Sequence, residues 1–183
     1  MNRMVWGAMF VALLSGCDSD VDIVRDGVMD FEQRTTLGKV FDNWDSCKSS
    51  NWEAFEADNG VRFVEFSCSH AIKSHFSSIK SFLSEDEKNA EELNVTSYTE
   101  TFLFSLNLDE TFQLDTVLLT EKWGDGNYLI TQYTAPASTG LLKRAYKNKL
   151  ALYPKSDKFS SRNALEHYGN RYYQAKKFTE DNS

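Results

Sequence analysis

The sequence predicts an α+β fold, an antiparallel sheet of about five strands with helices packed on one face. Two kinds of observation carry it. Residues 98–108 alternate, one side including Phe102, Phe104, Leu106 and Leu108 and the other Thr99, Thr101, Ser105 and Asn107, the period of a strand with one wet face. Helical spacing appears both before and after the strand-rich middle, so helices and an antiparallel sheet share one core.

Taken in order, residues 18–31 read as an acidic tether that becomes a short strand near Ile23–Phe31. Residues 35–44 follow, where a threonine N-cap precedes Leu37, Val40, Phe41 and Trp44 at i, i+3, i+4, i+7, one face of a short helix. Trp52–Ala57 and Val61–Cys68 flank Asp58-Asn59-Gly60, and Asn-Gly suits a type I′ hairpin turn. A helix from about Ser69 carries Ile72, Phe76, Ile79 and Leu83. Residues 84–92 extend it as an acidic end or loop. The alternating strand comes next, then a second from Phe112 to Lys122 with Leu114 and Leu118 inward, then, after Gly124-Asp125-Gly126, a third from Tyr128 to Thr134. Pro136 opens a helix with Leu141, Leu142, Ala145 and Tyr146 on its apolar side. Pro154 breaks that segment, and a last helix from Ser161 carries Leu165, Tyr168, Tyr172 and Ala175.

Charge is divided along the chain. The net charge is −7, the wrong sign for a general nucleic-acid binder. Residues 17–140 hold 23 acidic and 9 basic side chains, a balance of −14, while residues 141–177 hold 10 basic and 2 acidic, a balance of +8. Two readings follow. The basic segment folds back on the acidic body or is simply a solvated helix face, or it meets an acidic partner such as a headgroup surface or the anionic cell wall. Its candidate binding residues are Lys143, Arg144, Lys147, Lys149, Arg171, Tyr172, Lys176 and Lys177, cations interleaved with aromatics.

The N-terminus holds Met1-Asn2-Arg3-Met4, ten apolar residues from Val5 to Leu14, then Ser15-Gly16-Cys17. This is the pattern of a secretory signal, too short to span a bilayer, which needs about 20 residues. Leu14-Ser15-Gly16-Cys17 resembles the lipobox of bacterial lipoproteins. The resemblance covers residues 1–17 and implies cleavage before Cys17, diacylation of its thiol with palmitate-type chains, and a protein hanging from a membrane on the periplasmic side. Asp18 resembles the residue that withholds enteric lipoproteins from the outer membrane, which implies inner-membrane residence. The resulting division is a signal peptide at 1–16, a lipidated tether at 17–30, an α+β domain at 31–140 and a basic helical segment at 141–183. With Cys17 lipidated, Cys47 and Cys68 remain, and an exported compartment favours one disulfide between them. Cys47 follows the first apolar helix and Cys68 ends the second hairpin strand, so packing helix on hairpin brings the two together. The helix–hairpin opening over residues 21–68 is also similar to small modules of envelope-assembly lipoproteins such as the outer-membrane-protein assembly factor family. No functional residue is carried across from it.

No catalytic pattern emerges. His70 and His75, read on one helix, lie five apart and cannot grip one metal from a single turn; H-E-x-x-H and C-x-x-C are absent. Glu85-Asp86-Glu87 and Glu91-Glu92 lack the spacing of a calcium loop and read as a solvated face. The expectation is a non-enzymatic lipoprotein, with no cofactor and no metal, that binds or assembles with an envelope protein. The alternatives are a cell-wall hydrolase, or an exclusion or immunity lipoprotein of a mobile element. A hydrolase would need a recess holding two or more polar groups of shifted pKa, and none is expected.

Overall fold

A computed structural model describes residues 17–152 and 161–182. The signal peptide, Leu14-Ser15-Gly16 of the lipobox, and Pro154 lie outside the described residues. The chain runs α1 (Cys17–Asp26), α2 (Leu37–Asp42), β1 (Cys47–Glu56), β2 (Arg62–His70), α3 (Lys73–Lys80), α4 (Glu85–Lys88), a 3₁₀ turn (Glu91–Leu93), β3 (Val95–Leu106), β4 (Phe112–Trp123), β5 (Tyr128–Tyr133), α5 (Ala137–Ala145) and α6 (Ser161–Asp181). The five strands form one antiparallel meander in the order β1-β2-β3-β4-β5. One face is covered by helices, and its side chains form the core: Val64, Phe66 and Cys68 of β2 with Phe102, Phe104 and Leu106 of β3.

Residues 17–30 differ from expectation. Residues 17–26 form helix α1 rather than an extended tether, with Val24 fully buried, and in place of a strand near Ile23–Phe31 a single bridge joins Met29 and Glu32. An apolar side chain that reaches the core holds its backbone in place, and the helix satisfies that backbone internally. The segment from 141 onward is likewise part of the same core, through Leu141, Leu142, Ala145, Ala164 and Tyr168. Helix α2 forms as the spacing requires, with Thr36 Oγ1 accepting from Lys39 N at 3.3 Å and Leu37, Val40, Phe41 and Trp44 all buried. Ile72, Phe76, Ile79 and Leu83 are buried as expected. The helix starts at Lys73 rather than Ser69, because Ser69 is held in the ladder between Ser49 and Thr99.

Two local features shift the pattern in the sheet. Leu103 faces Thr116 while Phe104 faces Leu114, so Asp115 is an extra residue, a bulge that reverses the phase of β4. Leu114 still points to the core side, but beyond the bulge Val117 and Leu119 are the buried residues and Leu118 turns to the open face. Leu108, read as the last inward residue of β3, is fully exposed in the following turn.

The three hairpin loops share one geometry. Each has three residues between paired backbone groups: Ala57 N to Val61 O at 2.9 Å, Asn107 N to Thr111 O at 2.8 Å, and Trp123 N to Asn127 O at 2.8 Å. In each, an i→i+3 bond ends on a residue with positive φ: Gly60 at 79°, Glu110 at 63° and Gly126 at 92°. The middle side chain accepts from the N–H two residues on, through Asn59, Asp109 and Asp125. This is the three-residue turn with a left-handed last position, not the type I′ turn that Asn59-Gly60 suggested, because only Gly60 is left-handed. Two of these loops place glycine where glycine is favoured; the third places Glu110 there.

Cys47 and Cys68 form a disulfide with Cα atoms 5.7 Å apart. It closes a separation of 21 residues and stabilises the fold by roughly 3 kcal/mol in the chain-entropy model. Replacing both cysteines by serine is expected to lower unfolding free energy by about that amount in denaturant titration, and thiol titration of the unfolded, unreduced protein should find neither residue reactive. Glu110→Gly is expected to raise stability by about 0.5–1 kcal/mol, since it relieves a left-handed non-glycine residue at some cost in chain entropy; the same titration measures it.

Candidate functional site

The structure distributes the basic segment rather than gathering it. Arg171 from α6 is committed inward: its Nε donates to Glu121 Oε2 at 2.6 Å, its Nη2 bonds the same oxygen, and Nη2 also donates to Thr131 at 3.0 Å. Arg144 donates from Nε to the Leu150 carbonyl at 2.9 Å and again from Nη2. The Tyr172 hydroxyl donates to Asp125 Oδ2 at 2.5 Å; this holds the Asp125 carboxyl below its usual range. Lys143 lies 4.8 Å from the Phe31 ring centre, Lys176 4.5 Å from Tyr172 and Lys177 4.6 Å from Tyr173. Lys147 and Lys149 are exposed. Arg171 and Tyr172 thus bond acids of the body and Arg144 a carbonyl of its own segment, while these five lysines stay at the surface on α5, α6 and the turn after α5.

A different group of polar residues converges on the covered face of the sheet. His70 stands on β2, not on the following helix, and is buried in phase with Val64, Phe66 and Cys68. Its Nδ1 lies 3.0 Å from Ser46 Oγ and 3.5 Å from Cys68 Sγ, and its Nε2 lies 3.7 Å from Glu100 Oε1. Glu100, 1% exposed, accepts from Ala151 N at 2.9 Å. Burial pushes its carboxyl up to about 7, against the pull of the Ala151 bond and of Arg144. Burial drives His70 down to about 4. Each group therefore favours its neutral form, the usual outcome for charge in a dry environment. Tyr98 is raised well above its ordinary value by burial, with Glu100 and Glu121 adding to the effect, and Glu121 is raised by burial despite Arg171.

Tyr98 and Glu121, with Tyr133, His167 and Arg171, line a cavity of about 70 Å³. The expectation that no recess would hold two polar groups of shifted pKa is thus not met. The cavity has room for a few waters and falls below the roughly 300 Å³ where small-molecule pockets begin. A larger depression of about 250 Å³ has an apolar floor of Ile72, Phe76, Leu93 and Val95, with Lys73 and Lys80 at its rim. His75 joins α3 to α6, its Nε2 3.2 Å from the Tyr168 hydroxyl. Among the described residues no three His, Cys, Asp or Glu side chains gather to hold a metal, and no helix is long and apolar enough to cross a membrane.

Sequence reasoning missed the buried acids, although a sign of Glu100 was present. It lies in phase with Tyr98, Phe102 and Phe104, so the alternation that buries those rings buries a carboxylate too. Glu121 was hidden by the bulge at Asp115, without which it would face solvent. Comparison with protein-family models, with curated proteins and with solved structures finds no match for this chain.

Glu100 makes stability depend on pH in a definite direction. Its folded pKa of about 7 exceeds the unfolded value of 4.5, so the folded state holds the extra proton and its contribution is lost as pH rises from about 4.5 through 7. His70 acts oppositely between about 4 and 6.5 and contributes no slope above that window. Glu100→Gln keeps an acceptor for Ala151 N without the charge. Its stability relative to wild type should grow by about 3 kcal/mol between pH 5 and 8 and level off above. Chemical denaturation across that range checks it.

Proposed function

We propose that this chain is a membrane-anchored bacterial lipoprotein facing the periplasm, acting as a non-enzymatic binding or assembly component of the cell envelope. The observation that carries the reading is Leu14-Ser15-Gly16-Cys17 directly behind the apolar run Val5–Leu14. The Cys47–Cys68 disulfide supports it, since such bonds persist in exported compartments. So does the small size of the polar cavity, which leaves little space for a substrate.

The fold adds a geometrical consequence. Helix α1 begins at Cys17 itself, and Asp20 is already bonded to Arg62 at 2.8 Å. A lipid on Cys17 would therefore sit within a few residues of the body, not at the end of a long leash. Arg62 also bonds the Asn107 carbonyl at 3.1 Å, so the β1–β2 and β3–β4 turns share the anchored end. In this reading the strands stand on the membrane, and the partner is met at short range from the bilayer. Asp18 supports the inner membrane as the place of residence.

Metabolic labelling with palmitate is expected to mark the wild type and to be lost in Cys17→Ser, which accumulates unprocessed. Label retained by the variant would sink the lipid anchor. In membrane fractionation, wild type is expected with the inner membrane and Asp18→Ser with the outer; wild type already in the outer membrane would remove the sorting role.

A further inference from the structure

The two edges of the sheet are treated differently. At β5, α6 lies alongside, and the Thr179 hydroxyl bonds both Tyr128 N at 3.0 Å and Tyr128 O at 3.3 Å. At β1, helix α1 packs against the strand and Arg25 lies over the Trp52 ring, but no backbone bond reaches the outer edge between Ser50 and Glu56 from any described residue. That stretch contains no proline, and its register is regular, the only irregularity lying between Cys47 and Ser49. Proteins usually blunt such an edge with cover, prolines, bulges or lysines, because unpaired N–H and C=O groups recruit another strand. Here, beyond Lys48 and the acidic Glu53 and Glu56, the backbone groups of the edge have no partner among the described residues.

The side chains beside the edge indicate what kind of strand would fit. Glu53 faces Glu65 directly across the β1–β2 ladder on the open side of the sheet. Neither makes an ion pair with a described residue. Like charges directly opposite destabilise a sheet, and Glu65 is held above the usual carboxylate range by burial and by Glu53. Phe55, 41% exposed, stacks on Phe63 at 5.5 Å just beside them. A strand added to β1 would place alternate side chains on this same face, about 5 Å from Glu53.

We propose that the outer edge of β1 from Ser50 to Glu56 is a strand-addition site for an extended basic segment of a partner protein, whose cationic side chains land beside Glu53 and offset the Glu53–Glu65 repulsion. This rests on the reading of the chain as a binding component and names the surface and the partner's chemistry. Backbone bonds supply the affinity and the charge pattern the selectivity, as in other cases of strand addition. A second copy is the poorer occupant: antiparallel pairing over the whole of Ser50–Glu56 sets Glu53 against Glu53 of the other copy, which compounds the repulsion.

The test uses the full chain in detergent micelles and a blocked peptide of alternating lysine and valine, followed by fluorescence anisotropy. Salt-dependent binding is expected, with slowed amide exchange along β1. Glu53→Gln with Glu65→Gln, folded by circular dichroism, should weaken it about fivefold or more. The same peptide with alternate amides methylated keeps its charge but cannot pair, and should not bind. The proposal is overturned if the unmodified peptide fails to bind, if the methylated peptide or the double variant binds equally well, or if the chain forms a β1-paired dimer that the peptide cannot dissociate. Binding is read whether or not Cys17 carries lipid, so a negative result here leaves the anchor to its own labelling test.

Discussion

The ring of Phe41 is the contact on which most of this structure depends. It stacks on Phe66 with centroids 4.0 Å apart and meets Phe102 at 5.0 Å and Trp52 at 5.6 Å, so one side chain of α2 touches three adjacent strands. Burying such a ring contributes about 1.5–3 kcal/mol, and each aromatic pair adds about 0.5–1.5. With α2 seated there, Trp44 packs on His70, and the chain leaving the helix delivers Cys47 to Cys68. The disulfide and the buried histidine thus follow from the placement of one short helix. Six residues do not make a stable helix in water; this one exists because its apolar face has the sheet to meet.

A five-stranded meander with helices on a single side has one dry face and one wet face. The dry face carries more polarity than its exposure would suggest, since Glu100, Glu121 and His70 all point into it. Glu121 is paired with Arg171, whereas Glu100 has the Ala151 N–H and an Arg144 guanidinium nearby. This is how part of the chain's uneven charge is resolved: basic residues of α5 and α6 come back to acids of the sheet. The resolution is incomplete, because Lys143, Lys147, Lys149, Lys176 and Lys177 remain exposed and Glu53 and Glu65 on the wet face form no ion pair among the described residues.

In the proposed setting these asymmetries fall into one orientation. An anchor at the start of α1 would put the hairpin turns of Gly60 and Glu110 toward the membrane, with α3 and the 3₁₀ turn at the far end of the strands. The outer edge of β1 then rises from the bilayer with its Glu56 end nearest the membrane, so an added segment would run up from the membrane alongside the strand. A binding role asks for a surface of this kind more than for a cavity.

Much of the fold was legible in the sequence because burial leaves a periodic mark. The stripes of α2 and α3, the alternation of β3, and the turns at Gly60 and Gly126 could all be read locally, and the Cys47–Cys68 pairing followed from placing helix on hairpin. Three things could not be read that way. Val24, with Val21 and Ile23 beside it, makes α1 a packed helix only because the core is there to receive them, and so short an apolar set among acidic residues looks like a tether. The bulge at Asp115 reverses the phase of β4 through its pairing with β3, so the inward residues became Val117 and Leu119, and Glu121 joined the core. The unpaired edge of β1 depends on strand order, which is a property of the whole sheet. Periodicity in the sequence alone determined most of the elements and the apolar faces of α2, α3 and β3, because side-chain geometry repeats along one strand or helix. Tertiary structure decided which acids are buried, which cations meet them and which edge stays open, because those depend on what lies beside an element and not on what lies along it.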